Sequence, residues 1–309
     1  MFDRKKAKTK TKSQYGSLRL DSGLEGNGKM SLGAVSSYPD RSLIDEPRII
    51  NEINTEKIAL RSVACLNDEE IWTCSGSSMR LYNLQDQLVK VVQTKSGGEP
   101  IDILVTRIGD LLYTDYDDKT VNIVKNTQIQ TVIRLRGWKP FGVCSTSSGD
   151  FLILMNSNGK QSKVSRYAGS VEKQNIQYGD NKKPLFSPHG CNKYINENRN
   201  LDICVSDFDA RAVVVVNQAG RLRFTYTGHP SATKEIFYPR GITTDSDGRI
   251  LIADCNNHRI HILDQNGHFI RYIDNCPLNH PQGLCLDSRD NLVLTEWTTG
   301  KLKKIKYLI

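Results

Sequence analysis

The sequence predicts an all-β fold, a six-bladed β-propeller whose last blade is closed by an amino-terminal strand. Three observations lead there: a repeat of about 40–50 residues, short apolar strands inside each repeat, and a final repeat that stops one strand early. Prolines at Pro100, Pro140, Pro188, Pro239 and Pro281 are spaced by 40, 48, 51 and 42 residues. A glycine follows two residues later at Gly142, Gly190, Gly241 and Gly283. Fifteen residues after the proline stands an acid at Asp115, Asp254 and Glu296, and Asp207 takes that place once a short insertion around 194–200 is allowed. Five residues beyond each acid an apolar strand begins: TVNIV from Thr120, AVVVV from Ala212, RIHIL from Arg259 and KLKKI from Lys301. A weaker copy without the proline starts at Leu60, with strands at 70–74 and 80–84, which makes six units.

Each unit reads as four short strands. In the clearest they are 241–244, 250–253, 259–263 and 268–273. Asp247-Gly248, Asn266-Gly267 and Asn158-Gly159 supply the positive φ that tight hairpins need. Strand residues are Val, Ile and Leu in alternation or in short runs, as a sheet packed between two others requires. The sixth unit ends at Ile309 after its third strand, while RIINEINT at 48–55 has strand composition ahead of the first unit. That segment is expected to complete the last blade and remove the open edge.

Residues 47–309 therefore form the propeller, and residues 1–46 are a different polymer. Arg4, Lys5, Lys6, Lys8, Lys10 and Lys12 crowd its start, and Gly, Ser and Asp dominate the rest, so a disordered basic tail is expected. Such a cluster also serves nuclear localisation or nucleic-acid contact. No run of 18 apolar residues is present to cross a membrane as a helix, and MFDRKKAKTKTK lacks the apolar core of a secretory signal. With reduced cysteines, the expected compartment is cytoplasmic, or nuclear through the basic cluster.

The stretch Ala253-Asp254-Cys255-Asn256-Asn257-His258-Arg259-Ile260 resembles the defining motif of NHL repeats, named for an Asn-His-Leu core; here Arg259-Ile260 follows the Asn-His pair. The resemblance extends over residues 47–309, strong in the fifth unit, good in the fourth and sixth, and degraded in the first three. Similar six-bladed propellers form the carboxy-terminal domain of tripartite-motif (TRIM-NHL) proteins. The resemblance implies a receptor for protein substrates or RNA in a ubiquitin-ligase context. A RING or B-box needs close Cys and His pairs. The eight cysteines here (Cys65, Cys74, Cys144, Cys191, Cys204, Cys255, Cys276, Cys285) are never closer than nine residues, and no coiled-coil heptads are present. Buried reduced thiols are the expectation, with disulfides or a structural zinc as the alternatives.

The net charge of +8 needs a location. In a propeller one face, here called upper, carries the inter-blade loops and the turns between second and third strands. Arg134, Arg136, Trp138 and Lys139, then Lys182, Lys183 and His189, then Phe237, Tyr238 and Arg240 fall there. The opposite hairpins hold Asp68, Glu69, Glu70, Asp110, Asp150, Asp245, Asp247, Asp287 and Asp290. Cations interleaved with aromatics suit an acidic or phosphate-bearing ligand. The expected contact residues are Arg136, Trp138, Lys139, Phe141, His189, Tyr238 and Arg240. A protein partner or ubiquitination substrate is the first expectation, and single-stranded RNA, stacked on aromatics and held by Arg and Lys, is the alternative.

The recurring acid has two readings: it accepts hydrogen bonds from the tight loop that follows it, as in an Asx-type turn, or it joins an oxygen ring around a metal in the central channel. Similar six-bladed propellers include metal-dependent lyases and lactonases. Ser75 and Met155 occupy the acid position in the first and third units, which breaks such a ring, and the histidines do not recur at one offset. No Gly-x-Ser-x-Gly, phosphate-loop or His-Glu-x-x-His motif is present. The chain is thus expected to be a non-catalytic recognition module with no cofactor and no metal, a metal-dependent propeller enzyme being the minor alternative.

Overall fold

The computed structural model describes residues 41–190, 192–230 and 236–309. The expected tail lies almost wholly outside them. The described strands form six four-stranded antiparallel sheets. Blade 1 comprises β2–β5 (Val63–Cys65, Glu70–Ser75, Ser78–Asn83, Leu88–Gln93) and blade 2 comprises β6–β9 (Pro100–Val105, Leu111–Asp115, Thr120–Lys125, Gln128–Arg134). Blade 3 is β10–β13 (Lys139–Ser145, Phe151–Asn156, Ser162–Ala168, Val171–Ile176) and blade 4 is β14–β17 (Lys193–Glu197, Ile203–Asp207, Ala212–Val216, Leu222–Tyr226). Blade 5 is β18–β21 (Pro239–Thr244, Ile250–Asp254, Arg259–Leu263, Phe269–Ile273). Blade 6 holds β22–β24 (Pro281–Leu286, Leu292–Glu296, Lys301–Leu308) and takes its outer strand, β1 (Leu43–Asn54), from the other end of the chain.

That closure follows the expectation. Arg48 pairs with Lys306, Ile53 with Leu302 and Asn54 with Lys301. The strand starts at Leu43, ahead of the expected boundary at residue 47, because Leu43 reaches Leu308 across a register shift and packs on the blade 5–6 core.

Six apolar clusters fill the six spaces between neighbouring blades. Ile252 and Val215 meet between blades 4 and 5, for example, and Leu251 and Leu294 between blades 5 and 6. Each sheet buries both faces, which explains the continuous burial of inner strands such as β19 (ILIAD) and β16 (AVVVV). Fourth strands face solvent on one side and alternate; β5 exposes Leu88, Val89 and Val91.

The repeated proline has a structural cause. In blades 2, 3, 5 and 6 the first strand shifts register just after Pro100, Pro140, Pro239 or Pro281, so the residue that cannot donate sits at a bulge. Blade 4 pairs without a shift from Lys193↔Asp207 to Glu197↔Ile203. Pro188 is therefore not the repeat proline and Gly190 is not the repeat glycine. The insertion lies ahead of the first strand, over 177–192, rather than around 194–200. Its chain is pinned by a Tyr178–Pro184 bridge.

Candidate functional site

The innermost strands surround a channel with a cavity of about 320 Å³, lined among others by Ser62, Asp102, Val143, Tyr194, Thr243 and Cys285. Tyr194 crosses its upper part: the hydroxyl donates to the Arg61 carbonyl at 2.9 Å and accepts from Gln282 Nε2 at 2.6 Å. Blade 4 is thereby tied to blades 1 and 6. Glycines stand at the equivalent level in blades 3, 5 and 6, where Gly241 packs against the blade 6 backbone. Asp102 is buried beside this plug. It accepts from Ser62 Oγ at 2.6 Å and from the Val143 amide at 2.8 Å, and burial pushes its carboxyl up to about 7 against those hydrogen bonds. Tyr194 thus spans the channel between blades 4, 1 and 6.

The recurring acids end the second strands, and in blade 4 Asp207 pairs with Lys193, one step nearer the upper loops than Ser206, the partner of Tyr194. Asp115, Asp207, Asp254 and Glu296 are all fully buried. Three of them hold the loop that enters their blade: Asp207 accepts the Ser187 amide at 2.7 Å, Asp254 that of Tyr238 at 3.2 Å, and Glu296 that of Asn279 at 2.8 Å. Each of these three also has a cation or imidazole partner: Lys193 at 3.4 Å, Arg259 and His261 at 3.4 and 3.0 Å, and Lys303 at 2.7 Å. Asp115 instead accepts the Asp118 amide at 3.0 Å. The acids also hold the turn that follows, as expected, through Asp118, Ala210, Asn257 and Thr299, and the inter-blade loop ahead of the blade is an additional partner of three of them. Among the described residues no group of three His, Cys, Asp or Glu side chains is placed to hold a metal ion.

Above the acids runs a pattern that the sequence reading missed. The residue directly after the acid is aromatic in alternate blades: Tyr116 in blade 2, Phe208 in blade 4 and Trp297 in blade 6. The next blade lays a cation over each ring. Lys139 Nζ is 4.2 Å from the Tyr116 centroid, the Arg240 guanidinium 4.0 Å from Phe208 and that of Arg61 5.4 Å from Trp297. At the blade 4–5 junction the pair extends into a stack: Phe208 lies 5.1 Å from Tyr238, and Arg211 lies 5.5 Å from Tyr238. Such contacts are worth about 0.5–1 kcal/mol each when exposed and more when water is excluded.

Of the seven expected contact residues, Lys139, Tyr238 and Arg240 enter these clusters. Phe141 is corrected: it is 1% exposed and supports Tyr116 from below at 5.4 Å, because β10 turns it into the blade interior. Trp138 is half-buried, packed on the blade 2–3 core with Lys163 Nζ 4.7 Å from its ring. Arg136 and His189 are exposed in their loops and take no part in these ring clusters. Phe208 was legible through the rule of an aromatic directly after the acid, whereas Arg211, three residues further on, follows no such rule.

The cations divide by partner. Arg61 meets Glu99 at 2.8 Å, Lys163 meets Glu172 at 3.0 Å and Lys193 meets Asp207. Among the described residues Lys139, Arg211 and Arg240 have no carboxylate within ion-pair distance, although each faces a ring. The lower face differs. Asp245 and Asp287 are buried, accept amides of their own hairpins, and pair with Arg249 at 3.1 Å and Lys304 at 2.7 Å. These two acids are taken up by their turns and ion pairs.

The described strands make a six-bladed β-propeller, and one stretch of it is similar to an NHL repeat. Residues 238–263 match the family model of the NHL repeat. The chain is similar to Protein brain tumor of Drosophila melanogaster, 25% identical over 101 residues, a stretch that takes in 32% of this chain and 10% of that protein. Among solved structures it shares its fold with a gluconolactonase from Xanthomonas campestris (TM-score 0.63, 14% identity, 87% of this chain and 97% of that one). It shares it also with virginiamycin B lyase from Staphylococcus aureus, in an inactive form with quinupristin (TM-score 0.60, 13% identity, 85% and 88%).

Proposed function

We propose that this chain is a non-catalytic recognition module whose upper face binds an acidic segment of a protein partner. The observation that carries this reading is the set of cations without carboxylate partners, Lys139, Arg211 and Arg240, each laid against an aromatic ring around a channel that Tyr194 crosses. A cation stacked on a ring gives up little side-chain freedom when an anion arrives, and the ring offers apolar area next to the charge. The resemblance to tripartite-motif propellers makes a ubiquitination substrate the partner of choice. Single-stranded RNA is the second reading, favoured by the continuous Arg211–Tyr238–Phe208–Arg240 stack, which matches a base and its phosphate. The likeness to propeller lyases and lactonases extends to the fold alone.

The test is fluorescence anisotropy with a polyglutamate peptide and with a single-stranded oligouridine, each titrated against salt. Wild type should bind the peptide with an affinity that falls as salt rises, and the Lys139→Glu, Arg211→Glu, Arg240→Glu triple variant should bind at least about tenfold more weakly. Preference for oligouridine, with a salt slope that flattens in the variant, selects the RNA reading. Binding of neither probe removes the acidic-ligand proposal. Stoichiometric calcium or zinc retained by the purified, dialysed protein would overturn the non-catalytic reading.

A further inference from the structure

Five of the seven cysteines described are buried, and the two that are partly exposed, Cys65 and Cys285, are in contact with each other. Their sulfurs lie 3.3 Å apart, on β2 of blade 1 and β22 of blade 6, and both line the central channel. The contact falls on the seam where the fold is closed. Blade 6 is the one blade assembled from both chain ends, and β1–β24 hydrogen bonds hold it shut. Residue 65 is just downstream of β1, and residue 285 just upstream of β23 and β24. A bond between them would tie the two ends of the ring together across a sequence separation of 220 residues.

We propose that Cys65 and Cys285 are a site of reversible disulfide formation by a hydroperoxide, which converts the non-covalent closure of the propeller into a covalent one. One sulfur attacks the peroxide, the O–O bond breaks, and a sulfenic acid and one water leave the step. The second thiol attacks that sulfenic sulfur, the S–S bond forms, and its proton leaves with the hydroxyl as a second water. Two thiols and one hydrogen peroxide thus give one disulfide and two waters, with the sulfurs oxidised and the peroxide reduced. The channel, at about 320 Å³, has room for so small a reagent. Cys144 also borders that cavity but is 7% exposed and packed in the blade 3–4 core, and Cys74, Cys204, Cys255 and Cys276 do not line it. Hydrogen bonding to Cys65, with burial, holds the Cys285 thiol well above its usual range, so the pair is a slow reactant at neutral pH and a faster one in mild alkali.

The experiment uses the full chain, treated folded with hydrogen peroxide, then denatured and alkylated. Non-reducing tryptic digestion releases residues 62–80 and 272–289, each of which carries a second cysteine, Cys74 and Cys276. The expected product is those two peptides cross-linked and two hydrogens lighter, with fragment ions placing the link at Cys65 and Cys285 and alkyl groups on the other two. Oxidation should also raise the melting temperature by roughly 5 °C, because a long loop is closed, and dithiothreitol should reverse the rise. Cys285→Ala should show neither change. Separate alkylation or over-oxidation of the two thiols, with no cross-link, overturns the site. A cross-link that leaves the melting temperature unmoved overturns the closure.

Discussion

Blades 5 and 3 are the same four-stranded sheet built two ways. In blade 5 a buried carboxylate, Asp254, gathers the Tyr238 amide, Asn257, Arg259 and His261, and His261 passes the network on to the Tyr226 hydroxyl at 2.8 Å. In blade 3 the same place is taken by Met155, fully buried among Leu112, Ile153 and Tyr167. The turn above it closes on itself, with the Ser157 amide donating to the Gln161 carbonyl at 2.9 Å and Asn158 and Gly159 at positive φ. Its cation, Lys163, pairs with Glu172 on its own outer strand and covers Trp138. The acid is therefore not what makes a blade. It is what fastens an inter-blade loop, and blade 5 fastens Tyr238 to the sheet while blade 3 holds Trp138 by packing.

The largest expected difference lies at the glycine that the two blades share. A Cβ on Gly241 would meet the Gln282 carbonyl oxygen at 2.3 Å and the Leu284 nitrogen at 2.7 Å, both backbone. On Gly142 it would meet Ile195 Cγ2 at 3.1 Å, the end of a side chain that can turn. Gly241→Ala should cost about 3 kcal/mol or more and Gly142→Ala about 1 kcal/mol, read as urea midpoints at constant slope. Equal costs would mean that the inner ring yields as a whole and that the glycines are not there for fit.

Next comes the acid position itself. Asp254→Asn keeps the shape and leaves Arg259 and His261 without their anion, an expected loss of about 3 kcal/mol. Met155→Leu, at the matched place, should cost about 1 kcal/mol. Because the Tyr238 amide hangs on Asp254, the Asn variant should also weaken polyglutamate binding at temperatures where it is still folded. A loss of stability with binding untouched would separate the acid from the recognition surface.

The two blades should answer pH in opposite directions. Burial lowers the His261 pKa against the pull of Asp254, so the unfolded chain takes that proton first and stability falls as pH drops below about 6.5. Blade 3 takes its carboxylate from blade 2, through Asp102 and the Val143 amide. Asp102 is raised to about 7, so between about 4 and 7 the folded chain holds the extra proton and stability falls as pH rises. Asp102→Asn should therefore steepen the loss on acidification, and His261→Gln should flatten it, read in denaturation series at several pH values. Parallel pH curves in the two variants would contradict both assignments.

How far the sequence carries this comparison depends on what made each signal periodic. Strands such as 120–124, 212–216 and 259–263 were legible because burial between two sheets demands unbroken apolar runs, and the Arg48–Thr55 closure because the last repeat lacks a strand. Pro188 misled because Pro-x-Gly at near-repeat spacing also fits a loop; nothing in it tells a bulge from an insertion without the partner strand. Phe141 misled for a related reason, since a residue at the start of a first strand faces the mouth or the interior according to the bulge beside it. The charge on the upper face was legible as composition. Which cations lack an acid was not, since Arg61 and Glu99, or Lys163 and Glu172, are joined only by the folded chain.

The smallest expected effect tests whether the blade 3 loop rests on packing or on charge. Lys163→Met keeps the aliphatic stem over Trp138 and removes the ammonium from both the ring and Glu172. Glu172 is 39% exposed, so water can replace its partner, and Ser165 still donates to it at 2.8 Å. The loss should be about 0.5–1 kcal/mol, well under that of Asp254→Asn. Polyglutamate binding should not change, since Lys139 and Arg240 stand on rings that Lys163 does not touch. A loss of about 3 kcal/mol would show that Lys163 does for blade 3 what Asp254 does for blade 5, with a cation in place of an anion, and the two construction rules would become one.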